Sequence, residues 1–252
     1  MNARSTEPTP THGWLDSLFL KRLVATPPGR AFLLNFMADA EVSDEGMVFD
    51  ELLSRVDDPV LHRMVRVHGD DEKRHYAMLR ACVDKTGVVP GPVPSELRIA
   101  NEMDRQLGGI ALSFVEGRGS VMEAYVLLLV LEERAVRQFP HIARALAAVD
   151  PESAEVVAEV LRDEQRHVLY ARAISKKFAP DAATLDAAVT HFRDVERRVY
   201  AEHGRAMMRH AVRHGLLDVR GAERLFWRAM AALGGLGRRA RVEEPEPAIT
   251  FA

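Results

Sequence analysis

The chain has 252 residues, 47% of them hydrophobic and 28% charged, enough to bury one large core in a globular fold. A net charge of −3 argues against general nucleic-acid binding, and the single cysteine, Cys82, excludes an internal disulfide and a four-cysteine iron centre. The longest strongly apolar run, 124–131, is far too short to cross a bilayer, so a membrane partner is not expected and a reducing cytoplasm is the expected compartment.

Residues 1–12 lack an apolar signal core and read as a disordered leader. A short amphipathic helix is expected over 14–25, and Thr26-Pro27-Pro28 ends it and starts the next. That next helix, 28–55, carries the stripe Leu34, Met37, Glu41, Val48 and Leu52. Asp58-Pro59 opens a helix over 59–86, with proline at a permitted first-turn position. Its stripe is Leu61, Val65, His68, Glu72, His75, Leu79 and Cys82, at steps of three and four. Cys82 there is a small apolar filler. A Pro- and Gly-rich stretch, 88–94, opens a crossover with one short helix at 95–106.

The third long helix, 120–148, starts at a capping box, Ser120 to Glu123, and bears Met122, Val126, Leu129, Glu133 and Val136 on one face. Pro140 predicts a kink near Val136. Asp150-Pro151 opens the fourth, 152–177, with Val157, Leu161, Glu164, His167, Ala171 and Ile174. Two more helices are expected at 182–214 and 220–236, and an acidic, Pro-containing tail at 241–252. Between residues 191 and 241 stand twelve Arg, no Lys and five acids, which reads as a salt-bridged face or as a docking surface for an anionic carrier, nucleotide or tRNA. His203, His210 and His214 in this part lack a carboxylate at metal-ligand spacing.

Five features recur at one offset of 92 residues: Glu41 and Glu133, Asp58-Pro59 and Asp150-Pro151, Asp71-Glu72 and Asp163-Glu164, Arg74 and Arg166, His75 and His167. Each half therefore reads as the same helical hairpin, an internal duplication. Glu and His three residues apart on a helix point the same way, one turn apart. All four Glu and both His sit on apolar faces, where a charge is costly unless paired or metal-bound. Four carboxylates in one core repel each other, and two divalent cations would neutralise them.

On these residues the chain resembles the ferritin-like di-iron carboxylate superfamily over roughly 28–178. The two Asp-Glu-x-Arg-His strings resemble most closely those of oxygen-activating members such as bacterial multicomponent monooxygenases and acyl-carrier-protein desaturases. The resemblance implies an all-α fold: a ferritin-like four-helix bundle with a long crossover and extra N- and C-terminal helices. It would occupy 13–240, with its core at 28–178 and C-terminal helices at 182–238. Glu41, Glu72, His75, Glu133, Glu164 and His167 would be the metal ligands and carry the catalysis, with Glu72 and Glu164 as bridges. Asp71 and Asp163 would bond the ligand imidazoles, and Arg74 and Arg166 would support those carboxylates. Glu45, one turn beyond Glu41, and Glu132, next to Glu133, are extra or replacement ligands.

The implied cofactor is two Fe ions, or a Mn/Fe pair. The implied protein is a di-iron oxidoreductase, a non-haem oxidase or oxygenase. It would use O2 to hydroxylate or desaturate a small or carrier-linked organic substrate, with an electron-donor protein and a homodimer among its partners. Two other readings stand beside it. One is ferroxidase, iron-storage or rubrerythrin-like peroxide chemistry. The other is a metal-free helical binding module.

Overall fold

A computed structural model of the protein describes residues 14–42 and 45–236, with side chains over 17–41 and 48–232. The expected leader 1–12, the tail 241–252 and the side chain of Glu45 lie outside these residues. Ten α-helices, one 3-10 turn and no strand occur among the described residues. They are α1 (Trp14–Val24), α2 (Pro27–Val42), α3 (Glu45–Arg55), α4 (Pro59–Lys85), the 3-10 turn Ser95–Leu97, α5 (Ile99–Gln106) and α6 (Ile110–Val115). Then follow α7 (Val121–Leu146), α8 (Pro151–Phe178), α9 (Ala182–Arg213) and α10 (Gly221–Leu236).

Both Asp-Pro junctions act as helix starts. Asp58 accepts from the Val60 and Leu61 amides at 2.9 and 3.1 Å, and Asp150 accepts from the Ser153 amide at 3.1 Å and its hydroxyl at 2.8 Å. Pro59 and Pro151 each occupy the first helical position, where no amide hydrogen is required.

Two expectations differ from the structure. Within the helix expected over 28–55 the structure describes α2 and α3, and residues 43–44 between them lie outside the described residues. The crossover holds α6 in addition to α5, because Gly108 and Gly109 adopt φ of 85° and 78° and turn the chain between them. Ser120 does stand at the N-cap of α7, but its side chain makes no capping bond. Pro140 lies inside α7, which runs on to Leu146.

α2 packs on α4, α7 on α8, and α4 against α8 joins the two pairs. α9 lies on α7 and carries α10, while α1 touches α2 and α7. One apolar cluster takes Leu34 and Met37 of α2, Leu79 and Cys82 of α4, Leu146 of α7, and Val157 and Val160 of α8. A second takes Leu52 of α3, Val65 of α4, Tyr125 and Leu129 of α7, and Ala171 and Ile174 of α8. Along α4, α7 and α8 the change from one cluster to the other falls at the level of the Glu and His residues. The polar side chains are therefore sealed between two apolar ends. No helix among the described residues is long and apolar enough to cross a membrane.

Candidate metal centre

One face of α4 presents His68, Glu72 and His75, spaced four and three residues apart and thus stacked on successive turns. α8 presents Glu164 and His167 one turn apart, α2 presents Glu41 and α7 presents Glu132. These seven side chains form two groups that share Glu72: His68, Glu72, Glu132 and His167 in one, and Glu41, Glu72, His75 and Glu164 in the other. Within each group the ligand atoms lie within 4.8 Å of one another. None of the seven is more than 9% exposed, and the three imidazoles are fully buried.

His68 Nε2 lies 3.0 Å from Glu132 Oε1 and 3.3 Å from Glu72 Oε1. His167 Nδ1 lies 3.1 Å from Glu164 Oε2 and 3.2 Å from Glu72 Oε1, and His75 Nδ1 lies 3.1 Å from Glu41 Oε2 and 3.4 Å from Glu164 Oε1. The outer nitrogens cross between the halves. His75 Nε2 faces Asp163 Oδ2 at 3.1 Å, and His167 Nε2 faces Asp71 Oδ2 at 3.2 Å. Arg74 bonds Asp163 and also Asp71 at 2.9 Å, while Arg166 bonds Asp71 at 2.5 Å and Asp163 at 2.8 Å. Each carboxylate so orients its imidazole with Nδ1 turned inward, toward the Glu side chains.

Burial by itself would raise the Asp163 carboxyl, but the His75 bond and the charges of Arg166 and Arg74 hold it below its ordinary value. Inside the site, desolvation dominates. It pushes Glu132 up to about 7 and Glu164 well above the usual range, where neighbouring Glu132 adds repulsion. At Glu72 the nearby His167 and His68 rings outweigh burial, which by itself would raise the carboxyl, and keep it low. His167 resists it too: bonds to Glu164 and Glu72 bring it to about 11. His68 is lowered by burial and stays neutral.

The donor set fits metal ions. Ligands about 2.1 Å from one ion lie roughly 3–4 Å apart, the order of the 3.0–3.4 Å imidazole–carboxylate separations here. Glu72 Oε1, close to two imidazoles, makes no aligned hydrogen bond to either, and a buried acceptor left so is costly unless something else binds it. Mixed carboxylate and imidazole suits first-row divalent ions.

Glu133, the α7 ligand expected from the repeat, lies outside both groups. Arg172 of α8 reaches its Oε1 at 2.9 Å, and Arg193 of α9 bonds it twice, at 2.7 and 3.0 Å. Neighbouring helix positions diverge by about 100°, so only one of Glu132 and Glu133 can face inward, and the two guanidinium groups draw Glu133 away. His68 was not expected as a ligand. Its place on the α4 stripe one turn before Glu72 was the signal, but the matching position in the second half is Val160, so the repeat concealed it. His203, His210 and His214 belong to neither group.

An apolar cavity of about 140 Å³ adjoins the site, with Met37, Leu131, Ala135, Phe139 and Ile142 in its wall together with Glu41, Glu72, Glu132 and Glu164. No protein-family model, curated protein or solved structure matches the chain.

Proposed function

We propose that the chain is a ferritin-like dinuclear metal oxidase or oxygenase that uses O2 to hydroxylate or desaturate an apolar organic substrate. The observation that carries this is Glu72, shared by two buried ligand groups that border an apolar cavity. The cross-linked halves, repeated at one offset in sequence, support the ferritin-like assignment. A pair of iron ions, or manganese with iron, supplies oxygen activation when bound.

The chain's own residues position and insulate that chemistry. Glu41, His75 and Glu164 would hold one ion, His68, Glu132 and His167 the other, and Glu72 would serve both. Glu164, close to both His75 and His167, is the second carboxylate able to span the pair. Asp71 and Asp163 hold protons on the outer imidazole nitrogens, and Arg74 and Arg166 hold both carboxylates in place. The apolar wall excludes water and selects an apolar group next to the ligands.

Anaerobic loading with ferrous iron, followed by elemental analysis, tests this. About two ions per chain are expected, with both lost in Glu72→Ala and with O2 then consumed in step with oxidation of a bound hydrocarbon. A folded chain that retains no iron or manganese would sink the reading in favour of a metal-free binding module. Steady mineral growth in a large cage would favour iron storage instead.

A further inference from the structure

The two ligand groups match in all but one respect. Each has an imidazole that faces an Asp of the opposite half, His75 with Asp163 and His167 with Asp71. Each has one carboxylate of its own, Glu41 or Glu132, and Glu72 belongs to both. Glu164 turns one oxygen to each: Oε1 lies 3.4 Å from His75 Nδ1, and Oε2 lies 3.1 Å from His167 Nδ1. The carboxylates are thus evenly divided between the two positions. His68 is the surplus donor, and it belongs only to the group of Glu132 and His167.

The surroundings of His68 break the repeat as well. At the offset of 92, His68-Gly69 is matched by Val160-Leu161, and Val160 is fully buried in an apolar cluster. Phe49 of α3 meets the His68 ring edge-on at 4.8 Å. A Cβ on Gly69 would stand 3.1 Å from that phenyl ring, so a leucine there, as in the second half, would displace it. On its other side His68 stacks on the His167 ring at 3.9 Å. Packing therefore aims this imidazole, since its Nδ1 has no hydrogen-bond partner among the described residues. Nε2 is turned to Glu132 at 3.0 Å and Glu72 at 3.3 Å, beside the inward nitrogen of His167.

We propose that the two metal positions are unequal: the one at His68, Glu132 and His167 fills first and holds its ion more tightly, and the one at Glu41 and His75 fills second. With Glu72 and Glu164 shared, the first position offers five side chains and the second four. Equal carboxylate charge leaves the added imidazole to decide, and imidazole favours iron and the later first-row ions. The second ion also enters beside a cation that already draws on the shared carboxylates, which weakens it further. The assignment rests on the dinuclear reading of the site.

Titration of the full chain with Co2+, a paramagnetic probe, tests it by nuclear magnetic resonance. At one equivalent the ring protons of His68 and His167 should show the large shifts of direct ligation. Those of His75 should show them only as a second equivalent is added. Calorimetry should find the first ion bound more tightly than the second. His68→Val installs the residue of the second half. It should weaken the first ion by about tenfold or more, since losing even a group that only supports a ligand costs about 10- to 100-fold. One equivalent should then divide between His75 and His167. If that variant does not fold, the order of shifts in the unaltered protein decides alone. Ligation shifts that reach His75 first, or His75 and His167 together, overturn the proposal and leave the dinuclear reading standing. A first affinity unchanged in folded His68→Val does the same. A folded chain that retains no ion removes both.

Discussion

Asp71 and Asp163 each serve the imidazole of the opposite half, His167 and His75 respectively, so a change in one hairpin is felt at an imidazole of the other. Asp71→Asn keeps the shape but loses the charge that secures the His167 tautomer. Metal affinity should fall about 10- to 100-fold, with helicity unchanged, as read by competition with a chelator and by circular dichroism. Uptake should also weaken as pH drops below about 7, where Glu132 takes a proton, and loading should release protons from Glu132, Glu164 and His167 into weak buffer. His203 titrates in another way. Burial lowers it from 6.5 to about 4, so the unfolded chain binds the proton first as pH falls. Stability present above pH 6.5 is therefore lost progressively toward pH 4, on the order of 3 kcal/mol in all. Urea midpoints across that window should fall less steeply in His203→Phe than in the unaltered chain.

Among the helices, α7 shows how a neighbouring element selects between adjacent side chains. A repeat that matches Glu41 to Glu133 points to α7, where Glu132, and not its neighbour Glu133, joins a buried group of possible ligands. Arg193, which holds Glu133 outward, belongs to α9, an element with no counterpart in the duplicated hairpins. The start of α2 is constrained just as tightly. A Cβ on Gly29 would stand 1.9 Å from the Leu23 carbonyl oxygen and 2.6 Å from that of Leu216. Thr26 bonds the same Leu216 carbonyl at 2.8 Å, and the Asp218 amide reaches the Arg22 carbonyl at 2.9 Å. Gly29→Ala must push backbone apart and should cost about 1–3 kcal/mol in denaturant unfolding.

Across the molecule, the C-terminal helices close the fold rather than hang from it. Trp227 of α10 is fully buried, packed on Phe19 of α1 at 5.8 Å, and Arg22 bonds Glu223 at 2.7 Å. Trp227→Ala should lower stability by about 3–5 kcal/mol. Metal content at saturating iron should stay unchanged below the new melting temperature, because α10 supplies no ligand. Part of the arginine surplus after residue 191 is held in ion pairs, Arg193 with Glu133 and Arg197 with Asp194.

Periodicity and repetition alone determined the helical class, the Asp-Pro helix starts, and the faces that bear Glu41, Glu72, His75, Glu164 and His167. These are local properties, set by 3.6-residue spacing and by capping chemistry that needs no distant partner. Tertiary structure alone decided that His68 and Glu132 join those residues while Glu133 does not, that the Asp–His bonds run between halves, and that an apolar cavity adjoins the carboxylates. Each of these depends on how one helix is rotated against another. That rotation follows from packing and from guanidinium groups far away in sequence, which no spacing within a single segment records.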